Sequence, residues 1–224
     1  MDDPAFFGAE VRGGDKYRQL NGFKGILDWD ANNTDHTNIV FLTGSGGSLA
    51  RYSLNPGIYH CPADIYTRME WGARMLRCRS LSMNGFIEGG TYGPEAGSTW
   101  FPAWRAYQKE SGITVPRPSN LIVFVDEHPD SINDGWWITE VGANLTSNPG
   151  YWEDMPASYH NRACGFSFAD GHSEMHKWRR NKSYVPVRQG DSICGTIDDP
   201  GSTDIMWTIQ HVSAPLDSIG GIGL

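Results

Sequence analysis

Around Asp170-Gly171 the chain alternates side-chain character, and this stretch constrains the fold more than any other. Asp-Gly accepts the positive φ values of a tight hairpin turn. Placing those two residues at the turn pairs Phe168 with Ser173, Phe166 with Met175 and Cys164 with Lys177. Cross-strand partners share a face. This register therefore predicts an apolar face of Cys164, Phe166, Phe168 and Met175. The opposite face carries Ser167, His172, Glu174 and His176. A slip of one residue would scramble that sorting, because side chains alternate with a period of two.

The rest of the chain reads as short elements between breakers. Residues 1–21 form a polar arm whose apolar cluster is Phe6-Phe7, and residues 213–224 a flexible glycine-rich tail. Gly25-Ile26-Leu27-Asp28-Trp29 predicts a short strand. The glycine-rich loop 43–48 makes Ser48 an N-cap for a short helix through Tyr52. Residues 64–74 are expected to be helical and residues 76–84 to form a strand near a sheet edge. Residues 89–97 are a glycine-laden loop. A short amphipathic helix is expected over 100–110, with Pro102 in its first turn and Gly112 past its end. The β-branched run 121–125 is the expected central strand. Asn133-Asp134-Gly135 would turn the chain into 136–141 as a second hairpin. Residues 144–156 and 181–200 read as loop, and 204–212 as a last apolar segment packed on the core. Few, short helices and tightly turned strands predict one α+β domain over residues 22–212, built on an antiparallel sheet.

Composition excludes some functions. With 26 Asp+Glu against 18 Lys+Arg, the formal charge of −8 argues against nucleic acid as a partner. A local basic run, Lys177, Arg179, Arg180, Lys182 and Arg188, is a solvated surface or a docking patch for an acidic partner. No apolar run approaches the roughly 18 residues of a membrane span, and Met1-Asp2-Asp3-Pro4 is no signal peptide.

Catalytic motifs are absent: there is no G-x-S-x-G, no H-E-x-x-H and no C-x-x-C. Asp28, Asp30 and Asn32 resemble the start of a calcium loop, but Asn33 and Ile39 stand where an EF-hand needs Gly and Glu. An Asx-rich turn is the stronger reading of that loop. Hard oxygen ligands are also dense over 126–134, so calcium on Asp28, Asp30, Asn32, Asp126 and Asp134 is the metal expectation. His172, Glu174 and His176 alternate along a strand about 7 Å apart, too far for both histidines to meet one ion. Their expected role is hydrogen bonding. Asp126 and Glu127 near Trp136 and Trp137 carry the main alternative, a carbohydrate-binding or glycoside-acting site. A metal-dependent hydrolase on His160, Asp170, His172 and Glu174 is a further one.

His160, nine residues and then Asp170-Gly171 match an H-X9-DG signature. With Tyr59-His60-Cys61-Pro62-Ala63-Asp64, Arg79 to Asn84, Phe124 to Gly135, Asp154 to Ser158 and His176-Lys177-Trp178, the pattern resembles a bacterial family. These are pilin-like, type II secretion pseudopilin-related proteins with a prepilin-type processing-associated domain. The resemblance runs from about Gly22 to about Gln210. It implies a non-catalytic structural subunit of an extracytoplasmic type II secretion-like or type IV pilus-like assembly. Its partners would be other pilin-like subunits, and His160, Asp170, Gly171 and His172 its structural motif. The family's leader and long apolar helix have no counterpart here, so the membrane would be reached only through a helix preceding Met1. Extracytoplasmic placement permits disulfides, and Cys61 with Cys78 is the pair closest in sequence. Cys164 is either a bridge or a buried core residue of the hairpin. Weak self-association is expected through Phe6-Phe7, the edge-like strand 76–84 and the basic run.

Overall fold

The apolar run beginning at Leu121 becomes the middle of the molecule. The computed structural model describes residues 25–30, 32–43, 49–50, 52–53, 55–87 and 100–217. In chain order its strands are β1 (Thr67–Glu70), β2 (Ala73–Leu76), β3 (Leu81–Asn84), β4 (Ile122–Asp126), β5 (Trp136–Trp137), β6 (Tyr151–Trp152), β7 (Ala163–Phe168), β8 (Ser173–Lys177) and β9 (Ile197–Asp198). The helices are α1 (Val40–Thr43) and α2 (Thr203–Val212), with several 3-10 turns. Five strands form the main sheet in the order β5-β3-β4-β7-β8, flanked by the pairs β1-β2 and β6-β9. All pairings are antiparallel except β3 with β5. The fold is α+β, and β4 is its central strand, as its β-branched composition predicts. Among the described residues no helix is long and apolar enough to cross a membrane.

One face of this sheet carries the core. Val125, Phe166 and Trp137 point to it and are almost fully buried. Phe166 lies 6.0 Å from Trp178 and 6.1 Å from Trp137, and Trp152 packs edge-on against Trp178 at 5.7 Å. Helix α2 closes that face. Its N-cap Ser202 accepts the Ile205 N–H at 3.4 Å. Asp204 in its first turn accepts the N–H groups of Arg179 and Arg180, at 3.0 and 2.9 Å, tying the helix to the chain leaving β8. Ile205, Ile209 and Val212, at helical spacing, supply its buried stripe. Trp207 lies between His176 (centroids 3.7 Å apart) and His211 (4.3 Å), with Phe166 against its edge.

The hairpin β7–β8 differs from expectation by one residue. Ser167 pairs with Ser173, Phe166 with Glu174, Gly165 with Met175 and Cys164 with His176. Phe168 N–H donates to His172 O at 2.9 Å, so three residues, Ala169-Asp170-Gly171, form the loop. Gly171 N–H donates to Phe168 O at 3.0 Å, and Gly171 takes φ +91°. This is a type I turn followed by a left-handed glycine. Asp170 Oδ1 accepts the His172 N–H and meets His172 Nδ1 at 2.5 Å, which holds the longer loop. Phe166 and Phe168 still point inward, because the alternation of β7 does not depend on the turn. Met175 instead joins the opposite, exposed face, while His172 stacks on Phe168 with centroids 4.4 Å apart. A Cβ at Gly171 would meet nothing within 4 Å, so substitution there acts through backbone strain alone. Gly171→Val is expected to cost about 1–3 kcal/mol in urea unfolding, and Gly171→Asn clearly less.

Other elements depart from the sequence reading for identifiable reasons. Residues 64–74 are not helical. Trp71 (φ 56°) and Gly72 (φ 78°) turn β1 into β2, with Arg68 and Glu70 buried and Met69 outward, a period of two. The stretch 76–84 is no single edge strand, since β3 is flanked by β4 and β5. Residues 100–110 form no helix: Trp104 N–H closes a turn on Phe101 O, and other segments take the N–H groups that follow, Arg105 donating to Ala214 O and Tyr107 to Phe86 O. β5 does not form a hairpin with β4, whose two edges are already occupied by β3 and β7. Residues 25–29 form no ladder, although Leu27 N–H donates to Asn133 O at 2.5 Å. The loops 144–156 and 181–200 contain β6 and β9, which pair with each other. Docking continues past residue 212: Ser213 Oγ donates to Arg105 O at 2.8 Å and Pro215 bridges to Trp104. Phe6-Phe7, the Ser48 cap, the loop 89–97 and residues 218–224 lie outside the described residues.

Candidate functional site

Three segments far apart in sequence meet beside the end of β4. Asn55 caps a 3-10 turn over Pro56–Tyr59, accepting the Gly57 N–H at 2.9 Å, and this turn delivers the chain to Cys61. There the backbone runs beside Ser80: Ser80 N–H donates to Tyr59 O, and Cys61 N–H to Ser80 Oγ at 2.8 Å. Asp126, the last residue of β4, is positioned by its carbonyl, which accepts the Ala157 N–H at 2.7 Å. The third segment is the tight turn before β7. Asn161 (φ 54°) and Arg162 (φ 66°) are both left-handed, and His160 N–H donates to Ala163 O at 3.3 Å. That turn aims the His160 ring back at β4.

The side chains converge. Cys61 Sγ lies 3.4 Å from His160 Nε2, and the same nitrogen lies 3.9 Å from Asp126 Oδ2. One ligand atom from each of the three falls within 4.8 Å of the others. Ser80 Oγ bridges Cys61 to Asp126 Oδ1, at 3.4 Å from the latter. A Cβ at position 165 would sit 3.2 Å from Asp126 Oδ2, so glycine there leaves the carboxylate its place. Burial pushes the Asp126 carboxyl up to about 6, against the opposing pull of His160 and of hydrogen bonds from Ser80 and Cys61. Burial likewise raises the Cys61 thiol. Asp126 also lines a groove of about 420 Å³ on the sheet face opposite α2, with Leu81, Phe124, Gly165, Ser167 and Met175.

The chemistry open to this cluster follows from its geometry. A nucleophile relay needs the imidazole to face thiol and carboxylate with opposite nitrogens. His160 turns Nε2 to both, so the three groups surround a point instead of lining up.

The other expected site residues are placed as follows. The loop 28–35 is a run of Asx turns, its expected alternative to calcium: Asp28 Oδ1 accepts the Asp30 N–H (2.8 Å), Asp30 Oδ1 the Asn32 N–H (2.9 Å). Asp28 Oδ1 also meets the buried His36 at 3.1 Å. Asp134 Oδ1 accepts the Trp136 N–H at 2.8 Å. Trp136 and Trp137 are buried in the sheet, 3% and 0% exposed, and Glu127 is fully buried. They offer no face to a sugar ring, which removes the premise of the carbohydrate reading. Asp170, His172 and Glu174 join no grouping with His160 among the described residues. Cys61 and Cys78 do not bridge: all four cysteines are free, and Cys78 Sγ turns to Asp35 O at 3.7 Å while Cys61 faces His160. Cys164 is a buried core residue whose thiol donates to Asp126 O at 3.2 Å. In the basic run Arg180 pairs with Asp199 at 2.6 Å.

In the sequence His160 and Asp126 stand out separately, and Cys61 only as half of a possible disulfide with Cys78. The available signal was that all three sit inside the stretches carrying the family resemblance. Comparison with protein-family models, curated proteins and solved structures finds no match.

Proposed function

We propose that the chain is a non-catalytic, pilin-like structural subunit of an extracytoplasmic type II secretion-like or type IV pilus-like assembly. The observation that carries this reading is the asymmetry of the main sheet. One face is closed by α2 and the aromatic core. On the other, Met83 and Trp136 are covered, but β4, β7 and β8 leave an open groove lined by Phe124, Ser167, Ser173 and Met175, the last 53% exposed. In a pilin-like fold an antiparallel sheet lies against a long apolar helix, and this open face, with Leu81, Phe124 and Met175 beside Asp126 and Glu174, is the one such a helix would cover. Gly165 and the two serines keep its floor low, which suits close approach of a helix backbone. The motif residues then have a structural role, with Gly171 closing the β7–β8 hairpin and His160 the turn that precedes it.

The test is photo-crosslinking in bacterial cells producing the chain, with p-benzoylphenylalanine in place of Ser173. Expected are adducts with pilin-like subunits or a ladder of self-adducts. The same label at the exposed Gln189 should give neither. No adduct from position 173, or an identical pattern from position 189, would overturn the reading.

A further inference from the structure

We infer that Cys61, Asp126 and His160 form a binding site for a divalent metal ion of the zinc class, with a fourth position open to water. The donor set decides the class. A thiolate with an imidazole selects borderline and soft ions, whereas calcium and magnesium take oxygen shells. Three protein ligands plus a free position is the arrangement of zinc sites that keep an exchangeable ligand. Tetrahedral zinc at ordinary bond lengths places its ligand atoms about 3.3–3.6 Å apart. The observed 3.4 Å from Cys61 Sγ to His160 Nε2 already meets this, and the 3.9 Å from His160 Nε2 to Asp126 Oδ2 asks for a small closing movement.

The surroundings are built for those ligands. Ser80 hydrogen-bonds Asp126 Oδ1, which leaves Oδ2 as the free donor, and the same hydroxyl anchors the Cys61 backbone. Gly165 itself puts no side chain beside Oδ2, where a Cβ would come within 3.2 Å of it. His160 is 37% exposed through its side chain, so an ion has a way in and water a way to the fourth position. The ligands come from the 59–61 segment, the end of β4 and the turn at 160–163. An ion would therefore clip together three segments that the unfolded chain holds far apart, and its binding energy would add to folding. Binding replaces the thiol proton of Cys61 by the metal, so that proton is released to solvent.

Cobalt(II) and zinc titrations of the full chain, stripped with chelator beforehand, test this. Expected are one equivalent of cobalt(II) bound with a thiolate charge-transfer band and tetrahedral d–d bands, displaced by zinc. Zinc should also raise the melting temperature, and chelator should reverse it. Cys61→Ser should abolish the charge-transfer band, while Cys194→Ser keeps it. His160→Ala, at an exposed position that tolerates truncation, should weaken zinc by more than the roughly 100-fold typical of losing a supporting contact. Circular dichroism in chelator confirms that each variant is folded. A wild-type chain with no cobalt–thiolate band, or a band surviving in Cys61→Ser, would overturn the site. So would zinc affinity unchanged in His160→Ala.

Discussion

Replacing Asp64 by Ala is expected to destabilise the fold by about 3–5 kcal/mol, the usual consequence of stranding one partner of a buried ion pair. Asp64 Oδ2 accepts a hydrogen bond from Arg77 Nη2 at 2.8 Å, and both side chains are 0% exposed. Arg77 also donates through Nη1 to Pro129 O at 3.0 Å and stacks 5.0 Å from the Trp29 ring centroid. With the carboxylate gone, the guanidinium stays buried against a carbonyl and an indole, with its charge uncompensated. The attraction itself is a small net gain once desolvation is counted; the loss comes from what is left behind. The double variant Asp64→Ala/Arg77→Met should therefore recover most of the stability. Urea unfolding of both single variants and the double closes the cycle. A loss below about 1 kcal/mol in Asp64→Ala, as for an exposed pair, would contradict this account. The effect reaches the candidate site, because Asp64 N–H donates to Cys61 O and so sets the loop that presents the thiol.

The sequence made legible those elements whose burial follows side-chain type. β4 is apolar because strands flank it on both sides, and β7 alternates because one of its faces meets α2. The β1–β2 hairpin was hidden because its pattern is inverted, with Arg68 and Glu70 inside and Met69 and Leu76 outside. Hydropathy cannot signal a buried polar face. The turn at Asp170-Gly171 was legible in place but not in length. A left-handed glycine serves equally as the second residue of a two-residue turn or the third of a three-residue one. That one-residue ambiguity moved Met175 out of the core and His176 onto Trp207. Trp136 and Trp137 could serve as a sugar platform only if their faces were exposed. Pairing with β3 buries them. The meeting of Cys61, Asp126 and His160 depends on long-range register, on Ser80 running beside residues 59–61 and on the 160–163 turn ending next to β4. No spacing within the chain encodes either.

Asp154 provides the second large effect, and its sign depends on pH. The side chain is buried between β5 and the core, where Oδ2 accepts the Ile138 N–H at 2.7 Å. Burial raises its carboxyl to about 8, and nearby Asp134 adds to the rise, while the hydrogen bonds from Ile138 and Cys194 oppose it. In the unfolded chain the same group titrates near its ordinary value of about 3.9. Between those two values the folded chain holds a proton that the unfolded chain has released. Stability from this group is thus complete below about pH 4 and is lost as pH rises through the folded value. The wild-type chain should lose on the order of 2–4 kcal/mol between pH 5 and pH 8. Asp154→Asn keeps the shape and an acceptor for Ile138 but has no proton to lose. It should match the wild type near pH 5 and exceed it at pH 8, with a flatter profile. Some slope should persist in the variant, because Glu127, fully buried, also has its carboxyl raised well above the ordinary range. Chemical denaturation of both proteins from pH 5 to pH 9 measures the difference directly. Parallel profiles would mean that Asp154 is already ionised in the folded chain and would overturn this account.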